Sequence, residues 1–156
     1  MRRKAQQMSQ AECEEILCAA TSGTLAVLGD EGYPYAVPLS YVYTPGKLFF
    51  HCAKAGHKLD AIAGNDKASF CVIAQDQILP EKFTTAYKSV IVFGRTRILE
   101  GEEKLTAIRT LADKYSPNME EAREEEIKGA LDRMCLVELA VEHMTGKVGK
   151  ELMKKG

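Results

Sequence analysis

A chain of 156 residues with 46% hydrophobic and 28% charged residues has the size and composition of one globular domain. Its formal charge of −1 excludes a broad electrostatic footprint for nucleic acid, and basic residues gather only in the short end segments "MRRK" and "KKG", which read as solvated tails. No run approaches the roughly 20 apolar residues that cross a bilayer, the N-terminus lacks a secretory apolar core, and five cysteines without a CxxC pair read as reduced thiols, so the expected location is cytoplasmic.

The first element is helical. In "SQAECEEILCAATSG" Ser9 is placed to cap a helix, Glu12 completes a capping box, and the helix ends near Gly23. Cys13 and Cys18, five residues apart, fall on different faces and cannot share a metal.

Three strands follow: "TLAVLG", "YAVPLSYVY" and "KLFFHCA", separated by the turns "DEGYP" and "TPGK", which together predict an antiparallel meander. Pro38 interrupts the second strand and cannot donate to a ladder, so it marks an edge, a bulge or a place where something other than a strand pairs. In the third strand Cys52 alternates to the face opposite His51 and reads as a core thiol, while His51 reads equally as a solvent-facing strand residue. A metal site built from His51, Cys52 and His57 would need a fourth ligand and a His-Cys pair on one side of a strand, so no metal is expected.

"KAGHKLDAIAGN" predicts a short helix carrying Leu59, Ile62 and Ala63 inward, stopped by Gly64 and Asn65. Its start joins a strand end, a glycine and two donors. The first N–H groups of a helix lack intrahelical partners, the dipole places partial positive charge there, and Gly56 lets a ligand approach the backbone. With His57 and Lys58 adding side-chain donors, the segment suits a phosphate, the alternative being an ordinary helix start.

Downstream, "KASFCVIAQ", "YKSVIVFGRTRIL" and "MCLVELAVEHMTGKV" predict a fourth, fifth and sixth strand, with "DQILPEKF" as a surface loop between the first two of these. "GEEKLTAIRTLADKYSP" has a helical apolar row at Leu105, Ile108, Leu111 and Ala112, and "MEEAREEEIKGALDR" is a charged helix. His143 reads as structural. The fold class is mainly β (α+β): a single domain over residues 1–156, formed as a six-stranded antiparallel split β-barrel with a few flanking helices, because closure removes the edges an open sheet would leave.

Taken in order, "GTLAVLGDEGYPYAVPLSYVY", "GKLFFHCAKAGHKLDAIAGNDKASFCV" and "YKSVIVFGRTRILEGEEKLTAI" resemble the flavin-binding split-barrel superfamily that includes pyridoxamine 5′-phosphate oxidases, and in it the nitroimidazole-resistance (Nim-like) branch. The resemblance spans roughly residues 9 to 145. It implies a homodimer with FMN at the subunit interface and a flavin-dependent oxidoreductase that reduces small molecules, nitroaromatics among them. It further implies that Gly56, His57 and Lys58 hold the phosphate and that Val37, Pro38, Leu39 and Ser40 run along the isoalloxazine. His51 and Ala53 would lie near the ribityl chain or phosphate, and Tyr87 and Ser89 would contribute across the interface. Tyr41 and His57 are the candidates to line the substrate cleft. The end "MTGKVGKELMKKG" lacks the Arg-x-His pattern of dedicated pyridoxamine phosphate oxidases, which argues against that reaction. Two alternatives stay open: a haem-binding barrel of the haem-utilisation type, with His51, His57 or His143 as axial ligand, and a flavin-binding module without turnover.

Overall fold

The computed structural model describes residues 3–153; Met1, Arg2 and residues 154–156, and with them much of both basic tails, lie outside. Helix α1 (Gln10–Ala19) begins as the sequence predicts, with Ser9 accepting from the Glu12 N–H and the Glu12 carboxylate accepting from the Ser9 N–H at 2.8 Å. Cys13 faces the core and Cys18 faces out.

Seven strands form one antiparallel sheet: β1 (Ser22–Leu28), β2 (Pro34–Ser40), β3 (Val42–Thr44), β4 (Lys47–Ala53), β5 (Lys67–Leu79), β6 (Thr84–Leu99) and β7 (Met134–Val148). Their order is β2-β1-β5-β6-β7-β4-β3. The expected second strand is therefore two strands, and the expected meander stops at Tyr41: β2 pairs with β1, whereas β3 pairs with β4 at the other end of the sheet. Laid flat, the sheet would separate its end strands by roughly 29 Å at the usual strand spacing. Ser40 and Val42 are two residues apart and can be separated by at most about 7 Å. The sheet must curl until its ends meet at Tyr41, which makes it a split barrel, and β2 lies beside β4 across the split.

Tyr41 belongs to neither ladder, so its backbone needs other partners. Tyr115 supplies them, its hydroxyl accepting from Tyr41 N–H at 3.0 Å and lying 2.7 Å from the Tyr41 carbonyl. Pro38 sits on β2, an end strand of the sheet, opposite Thr24, where a missing N–H leaves no gap in a central ladder. The segment "DQILPEKF", expected as a loop, instead continues β5 to Leu79 and pairs it with β6 from Thr84; only Pro80–Phe83 turn. Its mixed polar sequence hid a two-stranded arm.

The barrel interior is filled by Leu25, Val27, Phe50, Phe70, Val92 and Leu139, with Leu17 of α1 closing one end. A second cluster lies outside the barrel, where α3 (Gly101–Tyr115) and α4 (Glu120–Ala130) cover Val42, Leu99 and Leu136 with Ala107, Ile108, Leu111 and Ile127. The helices thus shield the β3, β4 and β7 side. Within this layer Glu138 is buried and held by Lys47 at 2.9 Å and Arg97 at 2.8 Å. Among the described residues, no helix covers the outer face of β2, of β1, of β5 at Ser69 and Cys71, or of β6 at Ile91 and Phe93; the end of β6, at Arg97 and Leu99, lies under α3. Along the uncovered face the register aligns Pro38, Thr24, Cys71, Ile91 and Thr145 in one row and Ala36, Ala26, Ser69, Phe93 and His143 in the next.

Candidate flavin site

Helix α2 (His57–Gly64) starts where β4 ends, after a short turn. Leu59, Ala61 and Ile62 anchor it to the barrel core, which fixes where its N-terminus points. No side chain caps that N-terminus; its first internal bonds run from Leu59 N–H at 2.8 Å and Asp60 N–H at 3.3 Å to the Gly56 carbonyl. The N–H groups of His57 and Lys58 have no intrahelical acceptor. Gly56 has φ 140°, a conformation that side chains rarely adopt, and a Cβ built there meets nothing within 4 Å. Glycine is thus required by the backbone, and the space beside it is open to a ligand. These features fit a phosphate: two N–H groups without intrahelical acceptors, the positive end of a helix and a lysine as its second residue.

The His57 ring does not stand free. Its Nδ1 lies 3.3 Å from Asp30 Oδ2, and it meets Tyr35 edge-on with centroids 4.4 Å apart. Gly29 permits this docking, because a Cβ there would lie 3.2 Å from His57 Nε2 and 2.8 Å from the Tyr33 carbonyl oxygen. Asp30, Tyr35 and Gly29 escaped the sequence reading. "DEGYP" signals a turn, and nothing in it signals that the turn meets a helix some 25 residues on.

The strand candidates fall as follows. Val37 and Leu39 turn into the barrel core, while Pro38 and Ser40 face out; the free edge of β2 carries backbone groups with no strand partner. Cys52 is buried and His51 and Ala53 are exposed, as alternation requires. His51 shares its face of β4 with Phe49, the side of the helix layer, so Ala53 at the strand end is the nearer of the two to the α2 loop. Tyr87 and Ser89 lie on the outer face of β6, with Lys147 Nζ 5.1 Å from the Tyr87 ring centroid.

Tyr41 does not line a cleft. It is fully buried, its hydroxyl donates to the Leu17 carbonyl at 2.8 Å, and burial pushes its phenol well above the ordinary value. Its place at the join of β2 and β3 makes it a structural corner. His143 stacks on Phe93 with centroids 4.6 Å apart.

Lys58 also bears on Cys52, which burial raises to about 11, the neighbouring Cys135 adding to the rise and the Lys58 ammonium opposing it. Among the described residues no cluster of three or more His, Cys, Asp or Glu could hold a metal, and no helix is long and apolar enough to cross a membrane.

The fold is thus a split barrel with an uncapped, glycine-led helix start at its rim. Residues 9–148 match the family described as pyridoxamine 5′-phosphate oxidase, and the chain belongs to that family. No curated protein matches. Among solved structures, one from Bacteroides thetaiotaomicron, provisionally assigned to 5-nitroimidazole antibiotic resistance, is 20% identical, with a TM-score of 0.76 over 91% of this chain and 86% of that one. An FAD-binding protein of Mesorhizobium loti is 24% identical, with a TM-score of 0.65 over 93% and 98%. An FAD and haem binding protein of Mycobacterium smegmatis is 20% identical, with a TM-score of 0.78 over 97% and 77%. At these identities the structures share a fold with this chain.

Proposed function

We propose that this protein is an FMN-dependent oxidoreductase that holds its flavin between two copies of the chain and reduces small, electron-poor molecules, nitroaromatics among them. The observation that carries this reading is the uncapped start of α2, where the free N–H groups of His57 and Lys58 meet the open space at Gly56. The flavin-binding relatives support a flavin, and the short Gly56–Lys58 loop, sized for one phosphate, favours FMN over FAD.

In this reading Lys58 neutralises the phosphate, and the unpaired edge of β2 from Val37 to Ser40 meets the polar rim of the isoalloxazine with backbone groups. His51 and Ala53 close the ribityl side. Bound FMN supplies the electron or hydride chemistry. The chain's own residues place it and exclude water. With Nδ1 at Asp30 and Nε2 against Gly29, the His57 ring is held in place, and His57 serves the phosphate through its backbone N–H.

A second copy completes the site. From the register, Ser89 stands opposite Ile73 and Ala26 opposite Ser69, so the Gly29 turn that seats His57 lies roughly 23 Å along the strands from Ser89. In this reading Tyr87 and Ser89 serve the partner's flavin. The uncovered outer face, with Ile91 and Phe93 each 37% exposed and Ile73 67% exposed, supplies the apolar surface that two copies would bury together. The five free thiols accord with a cytoplasmic setting.

The test is the absorption spectrum after adding FMN and desalting, for the natural chain and Lys58→Met. Retained bands near about 450 and 375 nm, lost in the variant while its fold persists, support the reading. No retained flavin, or equal retention by the variant, overturns the phosphate assignment. A Soret band after adding haem would move the reading to a haem protein. Retained flavin without turnover of nitroaromatics by reduced protein would leave a binding module.

A further inference from the structure

A groove of about 400 Å³ runs between α3 and α4, on the layer outside the barrel and away from the α2 loop. Its walls are mostly apolar: Ile108 and Ala112 from α3, Ile127 and Ala130 from α4, and Met134 where β7 begins. Arg123 of α4 also lines it and is 16% exposed, which is unusual for an arginine at such a surface.

The guanidinium is half used. Its Nη1 is taken by Asp113 of α3. Its Nε is buried and has no hydrogen-bond acceptor. The edge formed by Nε and Nη2 is the one that matches the two oxygens of a carboxylate in a fork. An apolar channel of ligand size with a half-used guanidinium among its lining residues has the make-up of a site for an amphipathic acid. Glu126 stands at the same groove and is exposed, so it opposes an anion in proportion to its charge and disfavours a dianion more than a monoanion.

We propose that the groove between α3 and α4 binds a medium-chain monocarboxylate, its carboxylate on the Nε–Nη2 edge of Arg123 and its apolar tail along Ile108, Ile127 and Met134. The site is independent of the flavin reading: it shares no residue with it and lies on the covered side of the sheet.

Met119 and Met134 line the groove, while Met8 and Met144 line a different cavity, so methionine methyls report on the site and on the rest of the fold at once. The experiment titrates octanoate, and separately 1-octanol, into full-length protein carrying ¹³C-methyl methionine. The expected result is a saturable shift of Met119 and Met134 with octanoate, with Met8 and Met144 unmoved, and binding at least about tenfold weaker for octanol, which lacks the charged acceptor. Arg123→Leu should weaken octanoate binding by at least about tenfold, and Ala112→Phe, which fills the groove and leaves Arg123 in place, should abolish it. Equal binding of octanol, no saturable response to millimolar octanoate, or full binding by Arg123→Leu would each overturn the proposal. If both variants lose their native Met8 and Met144 signals, the comparison of octanoate with octanol on the natural chain decides alone.

Discussion

The hydroxyl of Tyr115, at the end of α3, meets both backbone groups of Tyr41, accepting from its N–H at 3.0 Å and lying 2.7 Å from its carbonyl oxygen. It also lies 2.5 Å from the Thr21 carbonyl, so its one proton serves either of two oxygens at the point where β2 passes into β3. Lys114 reinforces the junction, with Nζ on the Ala20 carbonyl and 4.7 Å from the Tyr41 ring centroid. Tyr115→Phe removes a hydroxyl and leaves a corner N–H without an acceptor, which costs about 1–3 kcal/mol. For a chain of this length that is a fall in Tm of roughly 2–4 °C per kcal/mol, to be read by thermal unfolding. An unchanged Tm would mean that water replaces the hydroxyl at the corner.

Tyr41→Phe acts on the other bond of the same residue. The lost partner is the Leu17 carbonyl, one of the last four of α1, which have no intrahelical donor. The expected loss is again about 1–2 kcal/mol, with flavin retention unchanged, since the side chain is buried away from the α2 loop. Lost flavin in a stable variant would restore Tyr41 to the site.

The distance between reading and structure is largest at this residue. "YAVPLSYVY" alternates as one strand, and nothing local in it shows that Ser40 and Val42 end on opposite edges of a seven-stranded sheet; only closure of the barrel decides that. The capping box at Ser9, the glycine at the start of α2 and the inward turn of Cys52 were legible because each depends on neighbours within a few residues. The contact of His57 with Asp30 and Tyr35 was not, because it joins two turns brought together by packing of α2 on β1.

That contact is itself testable. Asp30→Asn removes the carboxylate opposite His57 Nδ1, and both side chains are substantially exposed, so little stability should change. The expected effect is on local geometry: the ring signals of His57 and Tyr35, followed by NMR, should shift when the carboxylate that holds the imidazole beside Tyr35 is lost. Unchanged ring signals would show that the pair does not form in solution.

Glu138 of β7 ties together β4 and β6 through Lys47 and Arg97, and Arg97 reaches on to Glu103 of α3. Burial by itself would raise its carboxyl, but the hydrogen bonds from Arg97 and then Lys47 outweigh that and hold it below the ordinary carboxylate value. A depressed carboxyl contributes stability that is present above its unfolded value and is lost as pH falls through the lower folded one. Glu138→Gln should therefore be less stable than the natural chain at pH 7, by about 2 kcal/mol from the charged hydrogen bonds removed. The gap should close as pH falls below the usual carboxylate range. Parallel unfolding curves from pH 7 to pH 3 check it, and a constant gap would assign the loss to packing instead.

The uncovered face of β2, β1, β5 and β6 gives the last prediction. Ile73, Ile91 and Phe93 form an apolar strip on it, and on the arm beyond the sheet Ile78, 73% exposed, pairs with Thr85 and so continues the same side. An aspartate at Ile91 lies in the middle row between Cys71 and Thr145 and buries no charge within a single chain, whereas in a pair of copies joined by this face it would be desolvated without a partner. If two copies hold the flavin between them as proposed, Ile91→Asp should leave the isolated barrel folded, shift the sedimentation coefficient from dimer to monomer, and weaken flavin retention, since Tyr87 and Ser89 then no longer reach a partner. Lys58→Met should weaken flavin retention and leave the dimer intact. If Ile91→Asp sediments as the natural chain does, this face is not where two copies meet.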